Sequence, residues 1–245
     1  MTVRVLVAGA GRVGSAIYRL NREAGHHVYL VDKEVKYNSP PSVDVLHICF
    51  PYFEGFEMEV VSYGERCDAG LTLIESTVPV GTTREIYNML NGTRLICHSP
   101  VRGCHDSLFR DLKRYDKFIG SSSVRARYEA VVHYMSLGLE VYTCVSFEET
   151  EFLKLAGLSS FAVNIAFWQE LMRKAKVYGV PKALIGYWFN DTENASGYTV
   201  ERPVLDAGVI GGSCVMQGLE KLFGASEMVL WICGSNEKRK QEDSG

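Results

Sequence analysis

Short apolar runs alternate with stretches of helical length through the first 145 residues, and this alternation restricts the fold more than any other feature of the chain. Val3–Ala8, His27–Val31, Val45–Phe50, Leu71–Glu75, Arg94–Cys97, Lys117–Ile119 and Leu139–Cys144 read as strands. Most are continuously apolar, as strands covered by helices on both faces tend to be. Arg12–Ala24, Phe56–Cys67, Thr83–Leu90 and Val124–Leu137 read as the helices between them. Parallel neighbours need crossovers, so this order predicts an α/β fold with a doubly wound parallel sheet. One crossover is reduced: only Lys33–Asp44 separates the second and third strands, and Pro40-Pro41 leaves little room for a helix.

From Ser146 the pattern changes. Glu148–Tyr178 reads as one long helix, closed by Gly179 and followed by Pro181, where a second helix starts and runs over Lys182–Asn190. Asp191–Pro203 is polar and turn-rich, Val209–Leu222 carries a glycine cluster, and Ala225–Cys233 is apolar. The last eleven residues hold three positive and three negative charges and no large apolar side chain. The expected organisation is therefore a nucleotide-binding domain over 1–146, a small C-terminal all-helical domain over 147–234, and a disordered tail over 235–245.

Composition narrows the function. With 26 Lys and Arg against 29 Asp and Glu among 245 residues, the formal charge of −3 leaves no basic footprint for nucleic acid or an anionic membrane. No apolar run approaches the roughly 20 residues that cross a bilayer. The first residues begin like a strand and lack a signal-peptide cleavage region. Seven irregularly spaced cysteines read as reduced thiols, so a cytoplasmic protein is expected.

Gly9-Ala10-Gly11-Arg12-Val13-Gly14 lies between the first strand and the first helix. In such a turn the first glycine permits the tight bend, the second lets backbone approach a pyrophosphate, and the third lets the helix pack on the strand. Arg12 and Val13 open the helix, whose free N–H groups and partial positive charge suit phosphate. Asp32 ends the second strand, placed to accept hydrogen bonds from the adenosine ribose and to repel a 2′-phosphate, with Lys33 softening that repulsion. The pattern makes the sheet Rossmann-like and favours NAD. Ser76 and Thr77 lie in Glu75-Ser76-Thr77-Val78-Pro79-Val80-Gly81-Thr82-Thr83 at the carboxyl end of the fourth strand, where doubly wound sheets bind ligands. Their hydroxyls and the following helix N-terminus are candidates for the nicotinamide half, as is Pro51 after the third strand.

That segment resembles the Ser-Thr-Val-Pro-x-Gly-Thr segment of UDP-glucose and GDP-mannose dehydrogenases. His98-Ser99-Pro100-Val101-Arg102-Gly103 is similar to that family's (Asn/Ser)-Pro-Glu segment. Glu151-Phe152-Leu153-Lys154-Leu155-Ala156 is similar to the start of its central helix, and Gly211-Gly212-Ser213-Cys214-Val215 to its Gly-Gly-Ser-Cys segment. The resemblance covers about residues 3 to 222. It implies two successive oxidations of a sugar primary alcohol by NAD, with Lys154 stabilising the alkoxide, Cys214 as the nucleophile and Thr77 near the reacting centre. Three family groups have no counterpart: its glutamate falls on Val101, its asparagine on Leu158 and its aspartate on Gly218. A third family domain, which closes over the nucleotide half of a sugar nucleotide, also has no counterpart in these residues.

Residue by residue, Lys154 could instead snorkel to the surface and Cys214 could be an inert buried thiol. Arg102 reads either as a clamp for an anionic substrate or as an exposed loop charge. The adjacent pairs Cys97-His98 and Cys104-His105 lack the spacing of zinc ligands, so no metal is expected. The reading is an NAD-dependent oxidoreductase acting on a hydroxyl of a small or sugar-like molecule, dimeric through its helical domain. Its alternative is a non-catalytic NAD(H)-binding protein, a sensor or partner subunit.

Overall fold

A computed structural model of the chain describes residues 2–33, 42–104, 106–195, 205–211 and 213–244, apart from the side chains of Glu193, Ser213 and Cys214. The chain divides into two compact units, Met1–Lys154 and Leu155–Gly245.

The first unit is a seven-stranded sheet: β1 (Arg4–Ala8), β2 (His27–Val31), β3 (Val45–Ile48), β4 (Leu71–Ile74), β5 (Leu95–His98), β6 (Lys117–Gly120) and β7 (Val141–Cys144). Their order is β2-β1-β3-β4-β5-β6-β7, so the chain reverses direction across the sheet between β1 and β3. Five helices connect them: α1 (Arg12–Glu23), α2 (Phe56–Arg66), α3 (Thr82–Met89), α4 (Leu108–Leu112) and α5 (Val124–Ser136). Period-2 alternation feeds two cores at once. Val5 and Val7 of β1 pack on one face with Ile17 and Leu20 of α1 and Ala130 of α5. Leu6 and Ala8 pack on the other with Phe56 and Val60 of α2 and Ile86 of α3. Burial on both faces is why β1 carries apolar residues at four successive positions, Val5–Ala8.

The sheet is not parallel throughout. β5 and β6 are antiparallel, with His98 opposite Gly120, while β6 and β7 are again parallel. A parallel neighbour needs a crossover long enough to return the chain to the starting edge. The link from β5 to β6 carries the five-residue α4 and returns the chain antiparallel, whereas the 13-residue α5 carries the crossover to β7.

A buried carboxylate joins three of these strands to α5. Glu75, directly after β4, is fully buried. Lys117 of β6 donates to its Oε2, and the Tyr134 hydroxyl donates to Oε1 at 2.7 Å. His47 of β3 places Nδ1 2.9 Å from the same Oε1, so Nδ1 carries the proton and donates. His47 Nε2 then accepts from His133 Nε2 at 3.0 Å. Burial by itself would raise the Glu75 carboxyl, but the Lys117 charge and the His47 hydrogen bond outweigh it and draw it down to about 2.

The second unit contains most of α6 (Phe147–Tyr178) with α7 (Lys182–Ala195), α8 (Ser213–Phe223) and α9 (Glu227–Ser244). Its core joins Ala162, Ile165 and Ala166 of α6 to Leu219 of α8 and to Val229 and Ile232 of α9. The segment 235–245, expected as a disordered tail, is helical as far as Ser244. Asn236 is buried and accepts from the Ile210 N–H at 2.7 Å, and Arg173 donates to Ser235 O and to Glu242 at 2.8 and 2.7 Å. Arg239 pairs with Asp243 and Lys240 with Glu237 at helical spacing. The balanced charges that read as a tail are intrahelical ion pairs and one anchor to α6. No helix among the described residues is long and apolar enough to cross a membrane.

The buried groups make stability pH-dependent. Burial pushes His98 down to about 3 and holds His133 well below its usual range, with the His47 and His26 charges adding to the effect. Groups with depressed folded pKa values stabilise the fold above their unfolded pKa and lose that contribution as pH falls. Denaturant midpoints should therefore decline from about pH 6.5 as the unfolded histidines take up protons, and fall further below about pH 4.5 as Glu75 contributes. A midpoint that stays flat from pH 8 to 4 would contradict this network.

Candidate active site

The glycine turn has the close approaches its sequence implies. Gly9 has φ of +103°, and a Cβ there would lie 2.8 Å from Phe50 N. A Cβ on Gly14 would lie 1.7 Å from Gly9 O, so that position must remain glycine for α1 to sit against the turn. A Cβ on Gly11 would meet nothing within 4 Å. Gly11 caps α1 in an extended conformation, and no side chain caps the first N–H groups of the helix. Arg12 is exposed and lies 3.7 Å from Asp106, whereas Val13 is half-buried against the first core. Asp32 uses Oδ2 to accept from the Ala10 N–H at 2.7 Å, so it shapes the glycine turn as well as presenting its other oxygen. Lys33 and Pro51 are exposed.

The second turn is more heavily committed to the protein. Ser76 is buried, and its hydroxyl lies 2.6 Å from Phe50 O and 3.2 Å from Ile48 O, so it donates to the end of β3. Its carbonyl accepts from His98 Nε2 at 3.1 Å, and His98 Nδ1 lies 2.8 Å from the Thr150 hydroxyl. Thr77 follows, half-buried. The N-terminus of α3, expected from the sequence to face the nicotinamide half of the cofactor, is instead occupied from within. Gly81, its N-cap, has φ of +100° and no local side-chain cap. Glu151 of α6 supplies the cap, accepting from the N–H groups of Gly81 and Thr83 at 2.6 and 2.8 Å. Burial raises the Glu151 carboxyl, opposed by these hydrogen bonds.

One helical turn after Glu151, Lys154 extends to the loop after β5 and donates from Nζ to Val101 O at 2.8 Å. Lys154 is therefore held at the carboxyl edge of the sheet. The Val101 N–H donates to Glu75 O at 3.3 Å, so the same residue ties the loop to β4. The Val101 side chain is buried in the first core. Cys97 is buried, and burial pushes its thiol up to about 12; no cluster of metal-ligating groups occurs among the described residues. The Cys214 side chain lies outside the described residues. Sequence reasoning missed Glu151, His98 and the Glu75 network, although the helical spacing of Glu151 and Lys154 was present in the chain.

No family model matches the chain. UDP-N-acetyl-D-mannosamine dehydrogenase of Methanococcus maripaludis is 31% identical over 114 residues, which are 46% of this chain and 26% of that protein. The enzyme of the same name from Methanocaldococcus jannaschii is 29% identical over 115 residues, 27% of its length. Over that stretch the chain is a relative of the UDP-glucose/GDP-mannose dehydrogenases. The match spans about a quarter of the curated relatives' length. Among solved structures, UDP-D-ManNAc dehydrogenase from Pyrococcus horikoshii superposes with a TM-score of 0.78 at 20% identity, covering 99% of this chain and 70% of that one. Mycobacterium tuberculosis 3-hydroxyisobutyrate dehydrogenase with L-serine gives 0.73 at 16% identity, covering all of this chain and 94% of that one. These likenesses establish the shared fold.

Two positions where this chain departs from that family are in contact. By the sequence resemblance, Leu158 falls on the family's asparagine and Gly218 on its aspartate. A Cβ on Gly218 would lie 2.9 Å from Leu158 Cδ1 and 3.1 Å from Leu158 Cβ. The leucine fills the space that a side chain at position 218 would need, so the two departures form one packing unit in the second compact unit. Gly218→Ala should destabilise by about 1–3 kcal/mol through overpacking. Adding Leu158→Ala should recover part of that loss, and a double-mutant cycle on unfolding midpoints reads the coupling. Glu151→Ala should cost about 1–3 kcal/mol, because it leaves the buried Thr83 N–H and the part-buried Gly81 N–H without their acceptor, and Glu151→Gln, which keeps an acceptor, should cost less.

Proposed function

We propose that the chain is an NAD-dependent oxidoreductase that oxidises a hydroxyl of a small or sugar-like molecule to a carbonyl. The observation that carries this reading is that the open glycine turn and Lys154, fixed on Val101 O, belong to the same compact unit. Gly9, Gly11, Arg12, Val13 and Gly14 would hold the pyrophosphate, and Asp32 and Lys33 the adenosine ribose. Pro51, Ser76 and Thr77 would lie along the nicotinamide half. The residues fit: the turn is open at Gly11 and the α1 N-terminus is uncapped, as an incoming anion requires. Bound NAD supplies the hydride acceptor.

Lys154, in its unprotonated form, would take the substrate's hydroxyl proton as the hydride leaves the same carbon for NAD, and so become an ammonium. An ammonium carries three N–H donors, and the one given to Val101 O fixes the amine in position at the sheet edge. The family's second oxidation needs a nucleophile and groups that move protons or activate water. Val101, Leu158 and Gly218 offer none of the latter, so the reaction ends after one hydride transfer and Cys214, at the nucleophile position, is dispensable. The relatives' names support a nucleotide sugar as one substrate class to assay. We further place the protein in the cytoplasm, supported by free thiols at the six described cysteines. Homodimerisation through the helical unit is supported by the exposed Leu184, Tyr187 and Trp188 of α7 and is checked by sedimentation.

Calorimetric titration should give NAD binding that weakens in Asp32→Ala. Turnover should yield one NADH and one carbonyl product, Lys154→Ala should lower kcat by about 100-fold or more, and Cys214→Ser should leave it unchanged. Two NADH with a carboxylate product would restore Cys214 as the nucleophile. NAD binding without turnover on alcohols would overturn the enzymatic reading.

A further inference from the structure

The loop after β5 holds a second cation beside Lys154. Arg102 supplies the nitrogen of the peptide whose carbonyl, Val101 O, accepts from Lys154 Nζ. Two positively charged side chains are thus tied to one peptide unit at the carboxyl edge of the sheet. The loop is fixed on both sides of Arg102. Before it, the Val101 N–H donates to Glu75 O. After it, the Cys104 N–H donates to Asp111 Oδ2 at 2.9 Å, and Gly103, with φ of +128°, lies so close to Asp111 that a Cβ would fall 2.5 Å from Asp111 Cβ.

The Arg102 side chain is held as well. Its Cζ lies 5.0 Å from the centroid of the Tyr115 ring and 5.4 Å from that of Phe118, cation–π contacts that occupy the guanidinium without using its N–H donors. Among the described residues Arg102 makes no ion pair and no hydrogen bond through these donors. It contrasts with Arg84, Arg94 and Arg173, each of which meets a carboxylate within 3.0 Å. A guanidinium fixed by rings, with its planar fork unspent, matches a carboxylate bidentately.

We propose that Arg102 is a specificity-determining residue that clamps a carboxylate on the substrate, making the alcohol oxidised here a hydroxy acid. This rests on the dehydrogenase reading for the position of the hydroxyl at Lys154. The anion clamp itself rests on the loop geometry. The two cations then divide the work: Lys154 serves the reacting oxygen and Arg102 the carboxylate, which fixes the orientation of a molecule too small to be held by surface area.

The test is calorimetric titration of the full chain with 3-hydroxypropionate, its neutral counterpart 3-hydroxypropionamide, and UDP-glucose, each with and without NADH. The wild-type chain should bind 3-hydroxypropionate in preference to the amide. Arg102→Ala should weaken the acid by about 10- to 100-fold with no change for the amide, the range expected when a charge-assisted pair is lost. Arg102→Lys should restore only part of the loss, because the ammonium lacks the fork. NAD titration of Arg102→Ala should match wild type, which separates the two readings: absent NAD binding defeats the dehydrogenase proposal, whereas acid binding without cofactor still reports on the clamp. Equal binding of acid and amide, no binding of the acid, or an Arg102 dependence confined to UDP-glucose would each overturn the proposal.

Discussion

The carboxylate of Glu75 is the interaction on which the carboxyl edge of the sheet depends. It is a buried anion that collects an ammonium from β6, an imidazole from β3 and a phenol from α5. An isolated buried charge would be costly, and removing one partner of such a pair typically costs about 3–5 kcal/mol. The network therefore fixes which strands may neighbour one another. It also explains how β6 is seated: Lys117 bridges Glu75 to Ser99 O, so the antiparallel return of β6 brings its amine to the end of β4. The main chain of Glu75 accepts from Val101 and donates to Ile48 O, joining the ends of β3, β4 and β5.

From that fixed edge the site is assembled by two residues one helical turn apart. Glu151 and Lys154 lie at i and i+3 on α6 and so share a face. The carboxylate grips the N-terminus of α3 and the amine grips the loop after β5. The cap also removes α3 as an anion site, leaving α1 as the uncapped helix at the glycine turn. Charge is thereby sorted along the edge, with helix N–H groups open at α1 and cations at Lys154 and Arg102.

The positions read from the sequence as departures from the nucleotide-sugar dehydrogenases each have a packing role. Val101 turns its side chain into the core and meets Lys154 through its carbonyl. Leu158 and Gly218 meet in a close apolar contact, and a side chain added at position 218 alone would clash with Leu158. A close apolar contact at both positions avoids leaving a single polar group buried without its partner, which would be penalised. The sequence revealed each departure separately. It could not reveal that two of them touch, because positions 158 and 218 are brought together by helix packing and not by any local pattern.

Local periodicity was enough to place nearly every strand and helix of the first unit and to mark the glycine turn, because those signals lie within a few residues of one another. The residues that could not be given a role from sequence act over long separations: Glu151 caps a helix about 70 residues away, and Lys117 neutralises a carboxylate about 40 residues away. The seating of β6 and the helicity of the final segment were likewise decided by tertiary contacts, the first through Lys117 on Glu75 and Ser99 O and the second through Asn236 and Arg173. The sequence by itself determined the layered α/β architecture and the nucleotide turn, which depend on hydrophobic period and on glycine's lack of a side chain. Only the tertiary structure decided which charges meet, since buried ion pairs and helix caps form wherever the fold brings donor and acceptor together.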